Sequence, residues 1–454
     1  MPWYNAFITF LLEFSMNLLF GEHIKTLCKR FDSVLKAEGI DSVAIPSGEL
    51  KVQFLDDMDY PFKVNPQFKT WVPITNNPHC WVVYRAEEKP VLVFYQAEDF
   101  WHKPVELKED FWTDYFEIKV IHQPHEAYQY LPENGPDCAL LGKWNHFYQG
   151  RLEQLLQNPE TLHNRLHFAR TIKTNYEIEC MKIANQIAVR GHLAAEKAFL
   201  SGKSELSIHS AYLEASGQME HELPYGNIVA LNNNGAVLHY QHCDTDTATN
   251  RNSFLIDAGA TYNGYNSDIT RTYAAKSGEF ADMVTAFEEI QLSLVAALKP
   301  SIDYIQLHHQ THQMIAIWME QFGLLTSSAD SAMDAGVTQT FLPHGLGHFI
   351  GLQVHDVAGK QADAEGAPIQ QPENYPFLRL LHKLEVGHVV TVEPGVYFIP
   401  SLLKDLKQSK SGSLVNWTKI ETMLSYGGIR IEDDVVIIKD GQHNLTREAF
   451  SSAI

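Results

Sequence analysis

The grouping of helical and strand patterns in the second part of the chain is the feature that most constrains its fold. Helical patterns cover 176–200, 204–217 and 283–298, and strand patterns gather between and after them. A parallel βαβ fold needs regular alternation of strands and helices, which this order lacks. We therefore expect an α+β domain with an antiparallel sheet. The predicted strands cover 227–231, 253–260, 268–275, 389–397 and 429–438.

The first third of the chain has the pattern of a separate α/β domain. A helical pattern over 21–38 precedes short apolar runs that are typical of buried strands. A second helical pattern, over 151–172, leads into the second part of the chain, and we place the domain boundary near residue 170. The predicted strands of the first part cover 42–45, 81–84, 91–95 and 138–141.

The N-terminal residues are apolar but lack the features of a secretory signal. A signal peptide needs a positive start, and no Lys or Arg precedes Lys25. Asn5 and Glu13 interrupt the apolar run, which is short for a membrane span. We interpret this segment as a start-site extension with Met16 as the natural start. The predicted segments are this extension over 1–15, an N-terminal α/β domain over 16–170 and a catalytic domain over 171–454.

Composition limits the classes of function that this chain can have. The formal net charge is −20, whereas nucleic-acid binders need clustered Lys and Arg, so we expect no nucleic-acid partner. The five cysteines are widely spaced and form no Cys-x-x-Cys pair. This spacing argues against a disulfide framework or a structural zinc site and favours a reducing, cytoplasmic compartment. We expect no membrane association.

Two aspartates flank a strong signal for a tight turn. Asp257 ends an apolar run, Asp268 follows eleven residues later, and Asn263-Gly264 lies between them. A hairpin here would place the two carboxylates on one face, roughly 4.5–8 Å apart by Cβ. The carboxylates would repel each other, and a divalent cation is the natural group to lie between them. Taken alone, Asp257 is equally well explained as a surface carboxylate near a turn.

A glycine-rich loop over 343–356 contains three histidines. Glycines let the backbone turn tightly and approach a ligand closely. A lone histidine is usually a core or surface group, but three in one such loop favour a catalytic role. These histidines are His344, His348 and His355.

Two glutamates lie in strand patterns whose neighbours are apolar. Glu393 lies between Val392 and Pro394, and an unpaired carboxylate is very costly to bury, so a cationic partner is expected. Glu432 follows Arg430 at a spacing of two, which directs both side chains to the same face of a strand. Taken alone, a surface ion pair explains this second pattern better.

Together, two aspartates, one loop histidine and two strand glutamates form a five-residue ligand set that is mostly oxygen. Four carboxylates carry −4, which matches the +4 of two divalent ions. Such sites hold two metals roughly 3.5–4 Å apart and generate a nucleophile, a bridging hydroxide, at neutral pH. Oxygen-rich ligation with one imidazole favours Mn²⁺, with Co²⁺ or Zn²⁺ as alternatives.

The order Asp, Asp, His, Glu, Glu and the residues around it resemble the pita-bread metallopeptidases, which include methionine aminopeptidase, aminopeptidase P and prolidase. The likeness runs from about Met16 to the C-terminus. Segments 54–69 and 224–230 are similar to bacterial Xaa-Pro dipeptidases, some of which are known as organophosphorus acid anhydrolases. The resemblance implies an N-terminal α/β creatinase-like domain, a C-terminal pita-bread domain with a curved antiparallel sheet flanked by helices, and a homodimer.

The resemblance also implies roles for individual residues in the reaction. Asp268 and Glu432 would bridge the two ions, and Glu393 would also handle the proton of the attacking water. His239 and His355 would polarise the scissile carbonyl or stabilise the tetrahedral intermediate. The implied metal ligands are Asp257, Asp268, His348, Glu393 and Glu432.

Further roles that the resemblance implies concern substrate binding and support of the metal site. Arg379 would hold the proline carboxylate, which suits the fork of a guanidinium. His344 would contact the substrate or support the site, and Tyr225 would shape the pocket. Asp57 would reach across a dimer interface toward the substrate amine. Arg430 would orient a metal ligand.

These roles predict a metallo-dipeptidase that hydrolyses Xaa-Pro dipeptides. Hydrolysis of organophosphorus esters is a predicted side activity, because the same nucleophile can attack phosphorus. Two alternatives stay open, namely an aminopeptidase that acts on longer peptides and an inactive binding module of the same fold. Arg379 and Asp57 favour dipeptides, because both ends of a short substrate would be held by charge. Inactive relatives typically lose metal ligands, and all five are present here.

Overall fold

The chain divides into two compact units in the computed structural model. One unit comprises Met1–Glu179 with Asp363–Ala367, and the other comprises Cys180–Ala362 with Pro368–Ile454. The domain boundary near residue 170 and the extension over 1–15 stay predictions. The structure describes residues 2–98, 100, 101, 103, 105–132, 135, 137–144 and 152–453, with side chains described from residue 15 onward.

The first unit is built around one mixed sheet. Its strands are β1 (Ser42–Pro46), β2 (Trp81–Arg85), β3 (Val91–Tyr95), β4 (Glu117–Ile121), β5 (Cys138–Leu140) and β6 (Leu156–Gln157). They lie in the order β4-β3-β2-β1-β5-β6, and β1 pairs antiparallel with β2 and parallel with β5. All five residues of β1 are buried, as expected for a central strand covered on both faces. The helices of this unit are α1 (Pro2–Glu38), α2 (Pro66–Trp71) and α3 (Glu160–Arg170).

The helix predicted over 151–172 was wrong in its first half. Residues Leu152–Gln154 form a single 3-10 turn, and α3 begins only at Glu160. Asn158 has a φ of +47°, outside the helical region, and Pro159 has no N–H to donate to a preceding helical turn. The predicted first residue, Arg151, lies outside the described residues.

Long helices enclose the core of the second unit. The helix α5 begins after Ser204, whose side chain accepts a hydrogen bond from the Ser207 amide, and ends at Gly217 with a φ of +69°. The three predicted helices are confirmed as α4, α5 and α6, whereas α7 had not been predicted. Among the described residues, no helix has the length and apolar character needed to cross a membrane. The helices are α4 (Asn175–Leu200), α5 (Glu205–Ser216), α6 (Glu279–Ala296), α7 (Tyr304–Gln321), α8 (Ala329–Asp334), α9 (Thr338–Phe341), α10 (Pro400–Gln408), α11 (Trp417–Met423) and α12 (Leu445–Ala453).

The strands of the second unit pair antiparallel, as the sequence predicts. They are β7 (Ile228–Leu231), β8 (Ser253–Asp257), β9 (Thr261–Tyr262), β10 (Tyr265–Asn266), β11 (Thr270–Ala274), β12 (Val389–Val392), β13 (Gly395–Tyr397), β14 (Gly428–Arg430), β15 (Asp433–Ile438) and β16 (Gly441–Asn444). The sheets follow the orders β11-β8-β7, β12-β15-β16, β13-β14 and β10-β9.

The predicted hairpin between the two aspartates is confirmed. Strands β9 and β10 pair antiparallel across Asn263 and Gly264. Both turn residues have positive φ, +49° and +85°, which is the requirement of a type I′ turn. The hairpin returns the chain so that β11 pairs with β8.

Two strands that were predicted to be continuous are each broken in the middle. The run 389–397 divides into β12 and β13, and the run 429–438 divides into β14 and β15. The two breaks face each other, because Val392 pairs with Asp433 and Gly395 pairs with Arg430. Pro394 contributes to the break because proline cannot donate to a strand ladder. The predicted ligands Glu393 and Glu432 both lie at this double break.

Candidate metal centre

Strand pairing brings three of the predicted metal ligands close to Thr270 of β11. Thr270 pairs with Asp257 of β8 on one side and forms an isolated bridge with Glu432 on the other. Asp268 precedes Thr270 by two residues, so it lies on the same strand face by the period of an extended chain. Two aspartates and one glutamate that are distant in sequence therefore meet at one end of β11.

The histidine loop lies along β12 and meets the fourth predicted carboxylate. The backbone N–H of Thr391 donates to the His348 carbonyl at 3.0 Å, and that of Glu393 donates to the Leu346 carbonyl at 2.8 Å. Gly347 permits this close approach, because a Cβ there would lie 2.2 Å from the Thr391 carbonyl oxygen. The loop therefore holds the imidazole of His348 beside the carboxylate of Glu393.

The donor atoms of the predicted ligands converge. Ligand atoms of Asp268, His348 and Glu432 all lie within 4.8 Å of one another. The Nε2 atom of His348 is 3.6 Å from Asp268 Oδ2 and 3.6 Å from Glu393 Oε1. The Tyr225 hydroxyl oxygen lies 2.8 Å from Asp257 Oδ1 and 2.5 Å from Asp268 Oδ1. Three of the five predicted ligands thus converge directly, Glu393 lies beside His348, and Asp257 is linked to Asp268 through the Tyr225 hydroxyl.

Hydrogen bonding orients the His348 ring for ligation. Its Nδ1 atom lies 3.0 Å from the Phe349 carbonyl oxygen, which can only accept, so Nδ1 carries the hydrogen. In the neutral ring, Nε2 then presents its lone pair to the carboxylates. This is the tautomer that a metal-binding histidine needs, held by a backbone carbonyl as metal ligands commonly are.

The carboxylates of the cluster repel one another in a buried setting. Burial, and then Asp268, Glu393 and Asp257, raise the pKa of Glu432 well above its ordinary value. Burial likewise raises the pKa of Glu393 to about 7. Burial lowers the pKa of His348, but Asp268 and Glu393 outweigh it and raise that pKa to about 9. One guanidinium and one imidazole leave these four carboxylates with an excess of negative charge, so the donor set fits divalent cations.

Arg430 connects this cluster through all three of its side-chain nitrogens. Its Nη2 donates to Asp257 Oδ2 at 2.6 Å, and its Nε donates to the Thr270 hydroxyl at 3.1 Å. The Thr270 hydroxyl in turn donates to Glu432 Oε2 at 2.6 Å. The third nitrogen, Nη1, donates to the Tyr397 hydroxyl at 2.8 Å. Arg430 therefore contacts one predicted ligand directly and a second through Thr270.

His344 lies at the end of this hydrogen-bond network. Its Nδ1 is 2.8 Å from the Gly345 carbonyl oxygen, so its Nε2 accepts from the Tyr397 hydroxyl at 2.8 Å. Nδ1 is also 3.6 Å from Glu393 Oε2. Burial, followed by the charge of Arg430, lowers the pKa of His344 to about 3. This histidine is therefore neutral and fixed in orientation.

The remaining predicted residues of the second unit are His355, His239 and Arg379. The His355 ring packs edge-on against His348 with centroids 4.5 Å apart. His355 is exposed, but partial desolvation of its ring, and then His348 and Arg379, lower its pKa to about 4, and His239 adds to this effect. His239 and Arg379 have exposed side chains. Of these three residues, His355 is the one that packs directly against a predicted metal ligand.

Asp57 belongs to the first unit. It lies in an exposed turn closed by the antiparallel bridge between Val52 and Asp59. Its backbone N–H donates to Asp56 Oδ1 at 2.7 Å. Its predicted contact with substrate across a dimer interface stays a prediction.

Two residues of the site were not predicted from the sequence. Thr270 lies two residues after Asp268, and Tyr397 lies four residues after Glu393. A polar side chain at even spacing from a ligand on the same strand is the only signal that could have found Thr270. Tyr397 follows the strand break, and that break had not been predicted.

Comparison with known proteins identifies the family. Residues 18–168 match the family described as "Xaa-Pro dipeptidase, N-terminal domain", and residues 179–439 match "Metallopeptidase family M24". The chain is 48% identical to the Xaa-Pro dipeptidase of Aeromonas hydrophila, covering 96% of this chain and 99% of that protein. It is 47% identical to that of Pseudoalteromonas translucida, covering 95% and 98%. The chain belongs to metallopeptidase family M24 and, within it, to the bacterial Xaa-Pro dipeptidases.

Solved structures show the same fold. The aminopeptidase PepP of Pseudomonas aeruginosa matches with a TM-score of 0.69 at 19% identity, covering 96% of this chain and 98% of that one. The low-pH form of aminopeptidase P from Escherichia coli matches with a TM-score of 0.68 at 22% identity, covering 93% and 95%. The predicted family resemblance and the predicted fold class are both confirmed.

Proposed function

We propose that the protein is a dinuclear-metal dipeptidase that hydrolyses Xaa-Pro dipeptides. The observation that carries this proposal is the gathering of three carboxylates, those of Asp268, Glu393 and Glu432, around the imidazole of His348. The set occurs in a chain that is 48% identical to a bacterial Xaa-Pro dipeptidase over nearly its full length. The charge and the donor chemistry of the set match two divalent cations.

The metal-holding residues in this proposal are the five converging side chains. Asp268 and Glu432 would hold the metals from the centre of this set, together with His348. When bound, the two ions would polarise the scissile carbonyl and make water nucleophilic at neutral pH. Four carboxylates with a single imidazole favour Mn²⁺ as the ion, because hard oxygen donors suit it. The proposed ligands are Asp257, Asp268, His348, Glu393 and Glu432.

The chain's own groups would handle the proton and the developing charge. Glu393 would accept the proton of the attacking water and deliver it to the proline nitrogen as the C–N bond breaks. His239 and His355 would donate to the scissile carbonyl oxygen and stabilise its negative charge. Arg430 is a positioning residue in this scheme, because its contacts are with Asp257, Thr270 and Tyr397 rather than with substrate.

Substrate length would be set by charges at both ends of the dipeptide. The exposed guanidinium of Arg379 would bind the proline carboxylate in a bidentate manner. Tyr225 and His344 would line the pocket beside the metals. Asp57 of a second copy would bind the substrate amine, which makes a homodimer part of the proposal.

Cleavage of peptides of different length tests the substrate class. Purified protein supplied with Mn²⁺ is incubated with Ala-Pro, Gly-Pro and a tripeptide that contains proline at its second position. We expect hydrolysis of the dipeptides and little of the tripeptide. Equal or faster tripeptide cleavage would identify an aminopeptidase instead, and no cleavage together with no bound metal would identify a binding module.

Replacement of a bridging carboxylate tests the metal role directly. Asp268→Asn keeps the size of the side chain but removes a negative charge from the proposed ligand set. We expect metal content and Ala-Pro turnover to fall together, measured by elemental analysis and product assay. A variant that keeps full metal content and activity would contradict the proposed centre.

Two finer features complete the proposal. Organophosphorus esters would be hydrolysed as a side activity, because a nucleophile for carbonyl carbon can also attack phosphorus. A metal-loaded enzyme that is inert to such an ester would remove this activity and leave the dipeptidase proposal intact.

The cysteines are all free, which suits a reducing cytoplasm.

A further inference from the structure

Glu205 is a buried carboxylate that takes no part in the proposed chemistry. It lies in the first turn of α5, and only 1% of its surface is exposed. Burying a carboxylate is very costly unless hydrogen bonds satisfy its oxygens. The groups that donate to Glu205 therefore identify the part of the protein that it holds.

Both oxygens of Glu205 accept hydrogen bonds from a single connection. Oε1 accepts from the backbone N–H of Leu231 at 2.7 Å and from the Asn234 amide at 2.9 Å. Oε2 accepts from the Tyr240 hydroxyl at 2.7 Å and from the backbone N–H of Asp244 at 2.9 Å. A carboxylate offers about four acceptor sites, so this connection uses them all. We call residues 231–244 the His239 loop.

Further hydrogen bonds and core packing hold the His239 loop in addition to its four contacts with Glu205. The Asn234 amide donates to the Tyr240 hydroxyl at 3.0 Å, and the Leu206 backbone N–H donates to the Asp244 carbonyl at 3.2 Å. The Tyr240 ring is buried in a small cluster with Ile228 and Leu255. Glu205 therefore fixes the beginning, the middle and the end of the loop at one point.

His239 lies inside this loop, next to one of its anchors. Tyr240 is buried, whereas the preceding His239 is exposed. In the proposed function, this exposed imidazole donates to the scissile carbonyl oxygen. The placement of His239 would then depend on the backbone that Glu205 holds through the neighbouring Tyr240.

We propose that Glu205 is the positioning residue for His239, acting through the four hydrogen bonds that fix the His239 loop. This inference rests on the proposed function, in which His239 contacts the scissile carbonyl. Glu205 itself touches neither the metal ligands nor the substrate in this scheme. Displacing a catalytic group by a fraction of an ångström lowers the rate of the chemical step more than it weakens substrate binding.

The substitution Glu205→Gln tests the anchor with almost no change of size. Each oxygen of Glu205 accepts from one backbone N–H. The glutamine side chain has an NH₂ group in place of one oxygen, so in either orientation one of these two backbone hydrogen bonds is lost. We expect kcat for Ala-Pro to fall by about 10- to 100-fold with little change in KM. Glu214→Gln is the matched control, because Glu214 is an exposed glutamate of the same helix, and its kcat should equal that of the parent.

A double-mutant cycle separates positioning from general stability. In a His239→Ala background, Glu205→Gln should change kcat by less than about twofold, because the group that it positions is already absent. An equal loss in both backgrounds would overturn the proposal and leave Glu205 a purely structural residue. If Glu205→Gln does not fold, Tyr240→Phe takes its place in the cycle, and full activity of Tyr240→Phe would also overturn the proposal.

Amide hydrogen exchange provides a measurement that does not need turnover. Glu205→Gln should speed exchange at the amides of Leu231 and Asp244, while the amides of β11 should keep the parent rate. Unchanged exchange in the His239 loop would contradict the anchor. A parent protein that cleaves no dipeptide would instead overturn the proposed function, and exchange would still decide whether Glu205 holds the loop.

Discussion

At the scale of single residues, Thr270 decides how the acidic cluster is arranged. Its backbone lies between those of Asp257 and Glu432, and its hydroxyl accepts from Arg430 and donates to Glu432. A hydroxyl can do both at once, whereas an amide or a carboxylate in that position would change the charge or the geometry. Thr270 is therefore a positioning residue for two predicted ligands.

Removal of this hydroxyl should weaken metal binding without unfolding the protein. Thr270→Val keeps the shape of the side chain but breaks the link from Arg430 to Glu432. We expect Mn²⁺ affinity to fall by about 10- to 100-fold, as measured by calorimetric titration. Thr285→Val, at an exposed position of α6, is the control and should bind as the parent does. Parent-like affinity in Thr270→Val would show that the hydroxyl does not orient the ligand.

The sequence identified the charged residues of the site more readily than the neutral ones. A glutamate in an apolar strand, such as Glu393, or a histidine in a glycine-rich loop, such as His348, is unusual and therefore informative. Thr270 and Tyr397 are ordinary residues of strands, and their importance arises only from the neighbours that the fold gives them. The metal and substrate roles of the charged residues stay predictions.

At the scale of elements, strand continuity was the main error of the sequence analysis in the second unit. Alternating and apolar residues predict strands over 389–397 and 429–438, but both runs are broken where they face each other. The physical reason is local, because Pro394 cannot donate to a ladder and Glu393 and Glu432 turn toward a shared cluster. The periodicity of apolar residues indicates which face of a strand is buried, but it does not reveal a break within the strand.

A methyl group on the histidine loop should disrupt its contact with β12. In Gly347→Ala the new Cβ would lie 2.2 Å from the Thr391 carbonyl oxygen and 2.4 Å from the Tyr304 hydroxyl. Overpacking of this kind should lower the free energy of unfolding by about 3 kcal/mol, as measured by urea denaturation. Gly202→Ala, where nothing lies within 4 Å, should cost only about 1 kcal/mol because of its positive φ. Equal losses would show that close packing at Gly347 is unimportant.

At the scale of the whole molecule, the fold class followed from the order of the patterns. Separate runs of helices and strands predicted the antiparallel sheets of the second unit, and the tight turn at Asn263-Gly264 predicted the hairpin that aligns β11 with β8. The pairings between distant strands, such as Thr270 with Glu432, could not be predicted because no local pattern encodes them. These long-range pairings are what assemble the site.

Bound metal should stabilise the folded molecule as a whole. A ligand that binds only the native state raises the free energy of unfolding, by about 2.7 kcal/mol when its concentration is 100 times its Kd. Chelation should therefore lower the midpoint of thermal unfolding measured by calorimetry, and Mn²⁺ should restore it. The Asp268→Asn variant should show little of this response, and an undiminished response would place the stabilising ions elsewhere.

The guanidinium of Arg430 has one more consequence for this molecule. It is a permanent counter-ion attached to the chain, with its position fixed by Asp257, Thr270 and Tyr397. Without bound divalent ions, the acidic cluster would still have the positive charge of Arg430 beside it. The hydrogen bonds of Arg430 would still fix the side chains around that cluster. We therefore expect that one divalent metal can replace another without unfolding of the protein.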